Sequence, residues 1–474
     1  MNKTNENSHS KVPSVVIAAL RGGSGKTIAS LGIIRALKRR GMEVGCFKKG
    51  PDYIDAAWLA LAAKRACYNL DPFLMDDETI KKSFSLRAKT AQFSVIEGNR
   101  GLFDGLDLQG SASTARLASL LGTPVILVVD CTKATRTIAA MVLGCMRFDP
   151  DVSFLGVILN QVAGPRHEKV VTEAIVSYTG LPVLGHIPRL RKDPLPMRHL
   201  GLTPTDEFTG ATQALDQLAD IAEANMDLDR LIELANKKAT EIDPNITKEK
   251  LFNCNNKSFS GITIGIIRDA AFQFYYPENI EALRCLGAKT IFLKATTDSS
   301  IPSVDGIYIG GGFPETQASQ LSKNESFKRA LHSLCEKGLP VYAECGGLMY
   351  LGQSIHWDKQ DFPMAGIIPY KFEMEKRPVG HGYTRIKFLK DSPFFKKGAE
   401  IKGHEFHYSR PVPCAKNKRA GNFACRVLRG TGFDGKNEGY VIGNTFSTYT
   451  HVHALGEQAW ASSFLEGVSR AKQA

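Results

Sequence analysis

Residues 15–37 read VVIAALRGGSGKTIASLGIIRAL, and this stretch determines the fold that we expect for the first half of the chain. An apolar, β-branched run is followed by a glycine-rich turn and then by a helical pattern. In that order, successive backbone N–H groups converge at the start of the helix, where they bind phosphate oxygens. The sequence therefore predicts a nucleotide site, with the phosphates bound by Gly22, Gly23, Ser24, Gly25, Lys26 and Thr27.

The motif is a variant of the usual phosphate-binding pattern. The strict form G-x-x-x-x-G-K-[ST] needs a glycine where Leu20 stands, and Arg21 occupies a position that is often a second lysine. A chance glycine turn is the alternative explanation, but a strand before it and a helix after it favour the nucleotide site. In that site Lys26 would neutralise phosphate charge, and the hydroxyl of Thr27 would hold Mg²⁺.

Short apolar runs alternate with helical segments along both halves of the chain. Six runs before residue 190 are apolar or β-branched nearly throughout, as parallel strands covered on both faces are: 14–20, 43–49, 93–98, 124–130, 154–160 and 182–188. A second series follows at 261–269, 289–295, 306–312, 340–346 and 439–456. We predict an α/β protein with an N-terminal doubly wound parallel sheet over 14–225 and a second α/β domain over 261–474. Residues 1–13 are expected to form a disordered tail, and the polar stretch 226–260 an interdomain linker.

The composition excludes fewer classes of function than the motifs do. The chain has 474 residues with 43% hydrophobic and 23% charged residues, the balance of a soluble globular protein of two domains. The net charge of +12 is spread along the sequence, so we expect no nucleic-acid partner, and no apolar run is long enough to predict a membrane helix. The ten cysteines include no C-x-x-C, which argues against a zinc cage or a disulfide framework and favours a reducing cytoplasm.

Polar residues follow several of the predicted strands. Glu97 ends one strand, Lys48 ends another, and Asp52 and Asp55 come shortly after Lys48. Because the carboxyl ends of parallel strands meet at one edge of a sheet, these groups are expected to surround the nucleotide and its metal ion. Asn160, at the end of GVILN, has an amide that can read an adenine edge. Each of these residues taken alone is better explained as a solvated loop residue, and only their shared location at strand ends favours a common site.

The stretch GLPVYAECGGLMYLG, residues 338–352, places a cysteine between a glutamate and two glycines directly after an apolar run. A sharp turn at the end of the strand would present the sulfur of Cys345, and Gly346 and Gly347 would allow backbone N–H groups to approach the atom that it attacks. The glycines at 310–312 offer further N–H groups for an oxyanion. A buried structural cysteine is the alternative.

Together these motifs resemble the cobyrinate a,c-diamide synthase family. GSGKT, GPDYID, EGNRGLFDG and GVILNQV are similar to its amidoligase half, which is like dethiobiotin synthetase in fold. FQFYYPEN, YIGGGFPE, AECGGLMYLG, GHEFHYS and YTHVHAL are similar to its class I glutamine amidotransferase half. The resemblance runs in order from about residue 14 to the end of the chain. It implies amidation of two side-chain carboxylates of a tetrapyrrole, with ATP as co-substrate, Mg²⁺ as cofactor and glutamine as nitrogen source.

The resemblance also assigns roles to single residues. Cys345 would be the nucleophile and His451 its base, while His453 stands where other amidotransferases have a glutamate that orients the histidine, so the orienting group is left open. Lys48 and Asn160 would join the glycine loop in binding ATP, and Thr27, Asp55 and Glu97 would hold Mg²⁺. The substrate-binding residues implied by the motifs are Asp52, Tyr53, Asp104, His404 and Glu405.

Several alternatives stay open at this point. The tetrapyrrole can be cobyrinate, hydrogenobyrinate or nickel-sirohydrochlorin, and a related amidoligase would act on cobyric acid or a lipid-linked peptide. A ParA/MinD-like ATPase shares GGxGKT but needs no amidotransferase half. A nucleic-acid regulator would use the positive charge but would need a clustered basic helix. Whether the chain forms a homodimer is also open.

Overall fold

The computed structural model describes residues 10–190, 194–198, 201–254, 258–414 and 422–473. The chain divides into two compact units, Met1–Thr247 and Lys248–Ala474. None of the helices in these described ranges is long and apolar enough to cross a membrane.

In the first unit the strands and helices alternate through most of the chain. The strands are β1 Ser10–Val12, β2 Ser14–Ala19, β3 Val44–Lys49, β4 Cys67–Leu70, β5 Phe93–Glu97, β6 Val125–Asp130, β7 Phe154–Val162, β8 Val183–Pro188, β9 Met197–Arg198, β10 Gly201–Leu202 and β11 Thr240–Ile242. The helices are α1 Lys26–Arg39, α2 Ile54–Ala63, α3 Asp77–Ala88, α4 Thr114–Leu121, α5 Arg136–Phe148, α6 Pro165–Thr179, a 3₁₀ turn Thr205–Glu207, α7 Ala211–Asn225 and α8 Leu228–Lys237.

Seven strands of this unit form one parallel sheet in the order β4-β3-β5-β2-β6-β7-β8. The predicted doubly wound parallel sheet is therefore confirmed, and each of the six predicted strands is present. β4 was not predicted, because CYNL is short and mixes polar with apolar residues. Lys48 pairs in register with Glu97, and Asp130 with Asn160, so these polar residues lie at the same carboxyl edge.

The second unit contains a mixed sheet and a smaller one. Its strands are β12 Thr263–Ile267, β13 Lys289–Leu293, β14 Gly306–Ile309, β15 Val341–Glu344, β16 Ser354–Trp357, β17 Gln360–Pro363, β18 Tyr370–Met374, β19 Gly380–Phe388, β20 Glu400–His407, β21 Ser409–Pro413, β22 Asn422–Arg429, β23 Asn437–Ile442 and β24 Thr445–Thr448. The helices are α9 Lys248–Phe252, α10 Pro277–Cys285, α11 Ala318–Lys323, α12 Glu325–Glu336, α13 Gly346–Leu351 and α14 Ala459–Gln473.

The larger sheet of this unit has nine strands in the order β13-β12-β14-β15-β24-β23-β22-β19-β20. The part from β13 to β24 is parallel, and the strands beyond β24 pair antiparallel. Strands β17, β16, β18 and β21 form the smaller sheet. The second α/β domain is therefore confirmed, although the sequence did not indicate its antiparallel part.

The stretch that we predicted as a linker, 226–260, is largely folded. Helix α8 buries Leu228, Leu231 and Ala235, which recur at helical spacing, against the core of the first unit. Strand β11 pairs antiparallel with β1. The charged residues on the outer face of α8 account for the polar composition that suggested a linker.

Pairing of β1 also changes the interpretation of the N-terminal tail. Ser10 lies opposite Ile242, and Val12 lies opposite Thr240. Residues 10–12 of the predicted disordered tail therefore belong to a two-stranded sheet, and residues 1–9 lie outside the described ranges.

One pair of cysteines departs from the expectation of a chain without disulfides. Cys254 and Cys285 are joined, with their Cα atoms 6.0 Å apart. Cys254 follows α9 and Cys285 ends α10, and these two helices contact each other. The pairing could not be predicted, since the two residues are 31 apart in sequence and share no motif. Cys345 is a free cysteine.

Replacing Leu231 with alanine tests whether α8 belongs to the core of the first unit. Leu231 is fully buried, so we expect Leu231→Ala to lower the free energy of unfolding of this unit by about 2–5 kcal/mol. Leu108→Ala is the matched control, because Leu108 is 96% exposed in the same unit. Urea unfolding followed by circular dichroism measures both. Equal urea midpoints of unfolding for the two variants would contradict the packing of α8 against the core of the first unit.

Candidate active sites

The glycine loop lies between β2 and α1, as the sequence predicts. Gly23 and Gly25 have φ values of 75° and 95°, in the left-handed region that favours glycine. A Cβ at Gly25 would overlap the side-chain amide of Asn160. The ammonium of Lys26 donates to the carbonyl oxygens of Arg21 at 3.2 Å and Arg100 at 2.7 Å. Burial, and then the charge of Lys48, lower the pKa of Lys26.

A buried cluster of charged groups lies beside this loop. The Nζ of Lys48 is 2.7 Å from Asp55 Oδ2 and 2.6 Å from Glu97 Oε1, and Glu97 is fully buried. The hydroxyl of Thr27 donates to the same Glu97 oxygen at 2.9 Å. Burial alone would lower the pKa of Lys48, but Asp55 and Glu97 outweigh it and raise that pKa well above its usual value. The structure thus brings together the loop and all three residues of the predicted metal set.

The oxygens of this cluster suit a hard cation. Glu97 Oε2 is buried and has no hydrogen-bond partner among the described residues, and it lies on the carboxylate that Thr27 contacts. Oxygen ligands are those that Mg²⁺ prefers, and it commonly uses one or two protein carboxylates together with substrate phosphates. In the described part of the chain, no group of three or more His, Cys, Asp or Glu side chains is arranged to hold a metal by itself. Asp55, also predicted as a ligand, is turned towards Lys48.

Asn160 contacts the loop itself. Its Nδ2 donates to the carbonyl oxygen of Ser24 at 2.8 Å, which holds the loop against the end of β7. Its Oδ1 is buried and has no partner among the described residues. The sequence pattern assigned this amide to the adenine alone, because its contact with the loop depends on the pairing of β7 with β6 and of β6 with β2.

Three residues predicted to bind the substrate lie in loops of the first unit. Asp52 Oδ1 accepts the N–H of Asp55 at 2.9 Å, and Asp104 Oδ2 accepts the N–H of Gly101 at 2.8 Å. Tyr53 immediately precedes α2. Burial, and then the neighbouring Asp55, raise the pKa of Asp52 to about 7. These carboxylates therefore stabilise their own loops.

Cys345 lies at the turn between β15 and α13. Its φ of 48° is in the left-handed region, which is strained for a cysteine and is typical of functional turns. Its N–H donates to the carbonyl oxygen of Thr448 at 2.7 Å. The next residue, Gly346, lies close to Gly312, since a Cβ at Gly346 would be only 3.0 Å from the backbone nitrogen of Gly312. Burial, and then the charge of Glu315, raise the pKa of the thiol. The site without substrate therefore holds a neutral thiol.

His451 is held from three sides. Its Nδ1 lies 3.5 Å from Glu344 Oε2, and a Cβ at Gly311 would overlap its ring. Its ring stacks on that of His404 with centroids 4.9 Å apart, and the two residues exchange backbone hydrogen bonds of 2.8 and 3.2 Å. The glycines at 310–312 contact both His451 and the turn that carries Cys345. The ring of His451 and the turn at Cys345 therefore both lie against these glycines, and the sulfur of Cys345 lies 3.9 Å from the carbonyl oxygen of Phe406.

His404 and Glu405, which the motifs implied as substrate-binding residues, are both buried within the second unit. His404 is 4% exposed and lies against His451. Burial, and then His451 and His453, lower the pKa of His404 well below its usual value, so this ring is neutral. Glu405 is 2% exposed and accepts the N–H of Gly432 at 2.8 Å. The motif GHEFHYS implied substrate contact through the family resemblance, and both residues lie on β20.

His453 does not face His451. Its Nε2 lies 3.6 Å from Glu278, and its ring packs on Tyr276 with centroids 4.4 Å apart. The carboxylate near His451 is instead Glu344, to which the sequence motifs gave no role. Its position directly before the cysteine in AECGG was visible in the sequence, but the pairing of β15 with β24 that brings it to His451 was not.

The contact of Asn160 with the loop leads to a test by nucleotide binding. Asn160→Ala removes the donor to Ser24, so it should weaken the binding of both ATP and GTP by about tenfold. The affinity for ATP should fall further if the amide also contacts the adenine. Asn236→Ala is the matched control, since this amide also donates to a backbone carbonyl, at 2.9 Å, but on α8. Isothermal titration calorimetry measures both nucleotides. Unchanged GTP affinity would contradict the role in holding the loop.

Comparisons with known proteins agree with this geometry. A model of the CobB/CobQ-like glutamine amidotransferase domain matches residues 263–459, and a model of the AAA domain matches residues 13–193. The cobyrinate a,c-diamide synthase of Magnetococcus marinus is 41% identical over 451 residues, which are 95% of this chain and 96% of that protein. The enzyme of the same name from Archaeoglobus fulgidus is 40% identical over 462 residues, 97% of this chain and 98% of that protein.

A third relative, from Listeria innocua, bears the same name and is 41% identical over 93% of this chain and 96% of its own length. These matches extend over both units, so the N-terminal unit is an ATP-binding domain and the C-terminal unit a glutamine amidotransferase domain. The chain is an enzyme that forms carbon–nitrogen bonds with glutamine as the amido donor. The resemblance found in the sequence is confirmed, and the chain belongs to the cobyrinate a,c-diamide synthase family.

Proposed function

We propose that this enzyme amidates the a and c side-chain carboxylates of cobyrinic acid, using ATP and glutamine. The observation that carries the proposal is the presence of two different reaction sites in one chain. One has a phosphate-binding loop beside the buried charges of Lys48 and Glu97, and the other has a cysteine in a strained turn near a buried histidine. The names of the relatives indicate the substrate.

The second unit would release ammonia from glutamine. Cys345 attacks the side-chain amide carbon, so that a carbon–sulfur bond forms and an oxyanion develops near the N–H groups of the glycines at 310–312. His451 takes the thiol proton and passes it to the leaving nitrogen. Water then hydrolyses the thioester to glutamate. Because the thiol is neutral in the free site, its proton must be removed as it attacks, and this requires His451 as a base.

The first unit would activate the substrate carboxylate. A carboxylate oxygen attacks the γ-phosphorus of ATP, and ADP leaves with the electrons of the broken bond. Ammonia then attacks the acyl carbon of the acyl phosphate and releases phosphate. Lys26 would neutralise charge on the transferred group, so its contacts with the carbonyls of Arg21 and Arg100 must open when ATP binds. Thr27 and Glu97 would hold Mg²⁺, which supplies further charge neutralisation when bound.

The carboxyl edge of the first unit would also receive the tetrapyrrole. Asp52, Tyr53 and Asp104 lie in its loops, and their polar side chains would contact the tetrapyrrole. Hydrogenobyrinate and nickel-sirohydrochlorin carry similar carboxylates and remain alternative substrates. The burial of His404 and Glu405 favours a supporting role for them in the glutaminase site. Competition assays among the three tetrapyrroles distinguish the substrates.

Loss of Lys26 tests the phosphoryl step. Lys26→Ala should reduce amide synthesis by at least about a hundredfold with either glutamine or free ammonia, because activation of the carboxylate precedes the choice of nitrogen source. Lys81→Ala, an exposed lysine on α3, is the control and should leave the rate unchanged. The measurement is diamide formation by liquid chromatography with each nitrogen source. Near-normal synthesis from ammonia in Lys26→Ala would overturn the role of the loop.

Loss of Cys345 or His451 tests the division of work between the units. Cys345→Ala and His451→Ala should abolish glutamine use, yet both should form amide from ammonium salt at mildly alkaline pH, where more free ammonia is present. His453→Ala should be milder, because His453 faces Glu278. Product formation with each nitrogen source measures all three. If His453→Ala stops glutamine use while His451→Ala spares it, the assigned base is wrong.

A further inference from the structure

We propose that Glu344, the residue directly before the nucleophile, is the positioning carboxylate of the glutaminase site. Its Oε2 lies 3.5 Å from His451 Nδ1, with both side chains almost fully buried. The inference rests on the glutaminase function proposed above and supplies the group that the sequence left open. Other amidotransferases of this class place the orienting glutamate two residues after the histidine, whereas here the carboxylate comes from a neighbouring strand.

Two donors fix the carboxylate of Glu344 in place. Oε1 accepts the N–H of Val452 at 3.2 Å, and Oε2 accepts the hydroxyl of Tyr308 at 3.3 Å. Val452 directly follows His451, so the carboxylate is tied to the backbone that carries the histidine. Glu344, Tyr308 and Val452 are all buried, so water cannot replace these contacts. The 3.5 Å separation from His451 is that of a site without substrate, where hydrogen bonds of catalytic groups are often long.

The position of this carboxylate determines what His451 can do. A carboxylate beside Nδ1 favours the tautomer that carries its proton on Nδ1, so that Nε2 carries the lone pair that accepts the proton of Cys345. It also stabilises the imidazolium that forms when the thiol attacks. Three other groups face this pair, His404 from β20, Tyr308 from β14 and Tyr342 from β15, and none of these three is an anion at neutral pH, whereas Glu344 lies 3.5 Å from the ring of His451. Glu344 is therefore the carboxylate that can compensate the positive charge.

A purely structural role for Glu344 is the competing explanation, since it also binds Val452 and Tyr308. Glutamine distinguishes the two roles. Glu344→Gln keeps the size of the side chain and an oxygen that can accept the N–H of Val452, but it removes the negative charge. A structural role would be largely preserved by this change, whereas the stabilisation of imidazolium would be lost.

The matched control is Glu278→Gln. Glu278 is also fully buried and also lies beside a histidine, 3.6 Å from His453 Nε2, but it does not face His451. Any general effect of replacing a buried glutamate beside an imidazole should appear in both variants. An effect specific to the orientation of His451 should appear in Glu344→Gln alone.

The experiment measures glutaminase kcat and KM from pH 6 to 10, together with ammonia-dependent synthesis, on the full chain. We expect Glu344→Gln to lower kcat by at least about a hundredfold, to change the shape of its pH profile and to leave KM for glutamine within about threefold. Ammonia-dependent synthesis should match the wild type and so report a folded chain. The rate of Cys345 alkylation by iodoacetamide should also fall below that of the wild type at neutral pH, because His451 then withdraws the thiol proton less well.

A second variant keeps the test informative if Glu344→Gln does not fold. Tyr308→Phe removes one donor to Glu344 while keeping its charge, so kcat should fall by only a few-fold with an unchanged pH profile. The proposal is overturned if Glu344→Gln retains wild-type kcat and pH profile, if Glu278→Gln causes an equal loss, or if Tyr308→Phe has no effect. A wild-type chain without any glutaminase activity would instead overturn the proposed function.

Discussion

The close approach of backbone to side chain at the ends of parallel strands is the constraint on which both sites depend. In the first unit Gly25 allows the amide of Asn160 to reach the phosphate loop, and in the second Gly311 allows the ring of His451 to lie against the loop after β14. A Cβ at either glycine would overlap that side chain. Because the register of a parallel sheet aligns the strand ends at one edge, each glycine brings groups that are distant in sequence within contact distance.

The two sites differ in how they bury charge. The first unit holds Lys48 as a cation between Asp55 and Glu97, an arrangement that burial permits only because opposite charges are paired. Such a site is suited to phosphoryl transfer, because its cation can neutralise the negative charge of the phosphate that is bound and transferred. The second unit holds a neutral thiol and a neutral His404, with the carboxylate of Glu344 beside His451. There the charge forms during the attack, and Glu344 lies beside the ring that becomes positive.

Local patterns predicted the parts of these sites that local structure determines. The glycine loop could be predicted because strand, turn and helix are contiguous in residues 15–37, and the turn at Cys345 because two glycines follow an apolar strand. Contacts decided by strand pairing could not be predicted. The amide of Asn160 meets Ser24 across 136 residues, and Glu344 meets Val452 across 108. The same limit applies to the burial of His404 against His451, which is decided by strand pairing.

The turn at Cys345 explains how adjacent residues can serve one histidine. In a continued strand residues 344 and 345 would point to opposite faces of the sheet, so a carboxylate beside the nucleophile would be useless to its base. The φ of 48° at Cys345 ends that alternation immediately after Glu344. The glutamate keeps its strand position, where the N–H of Val452 and the hydroxyl of Tyr308 fix it, and the chain turns at Cys345 into α13, where Gly346 lies beside Gly312. The backbone strain that presents the nucleophile is thus also the condition that allows the orienting carboxylate to stand directly before it.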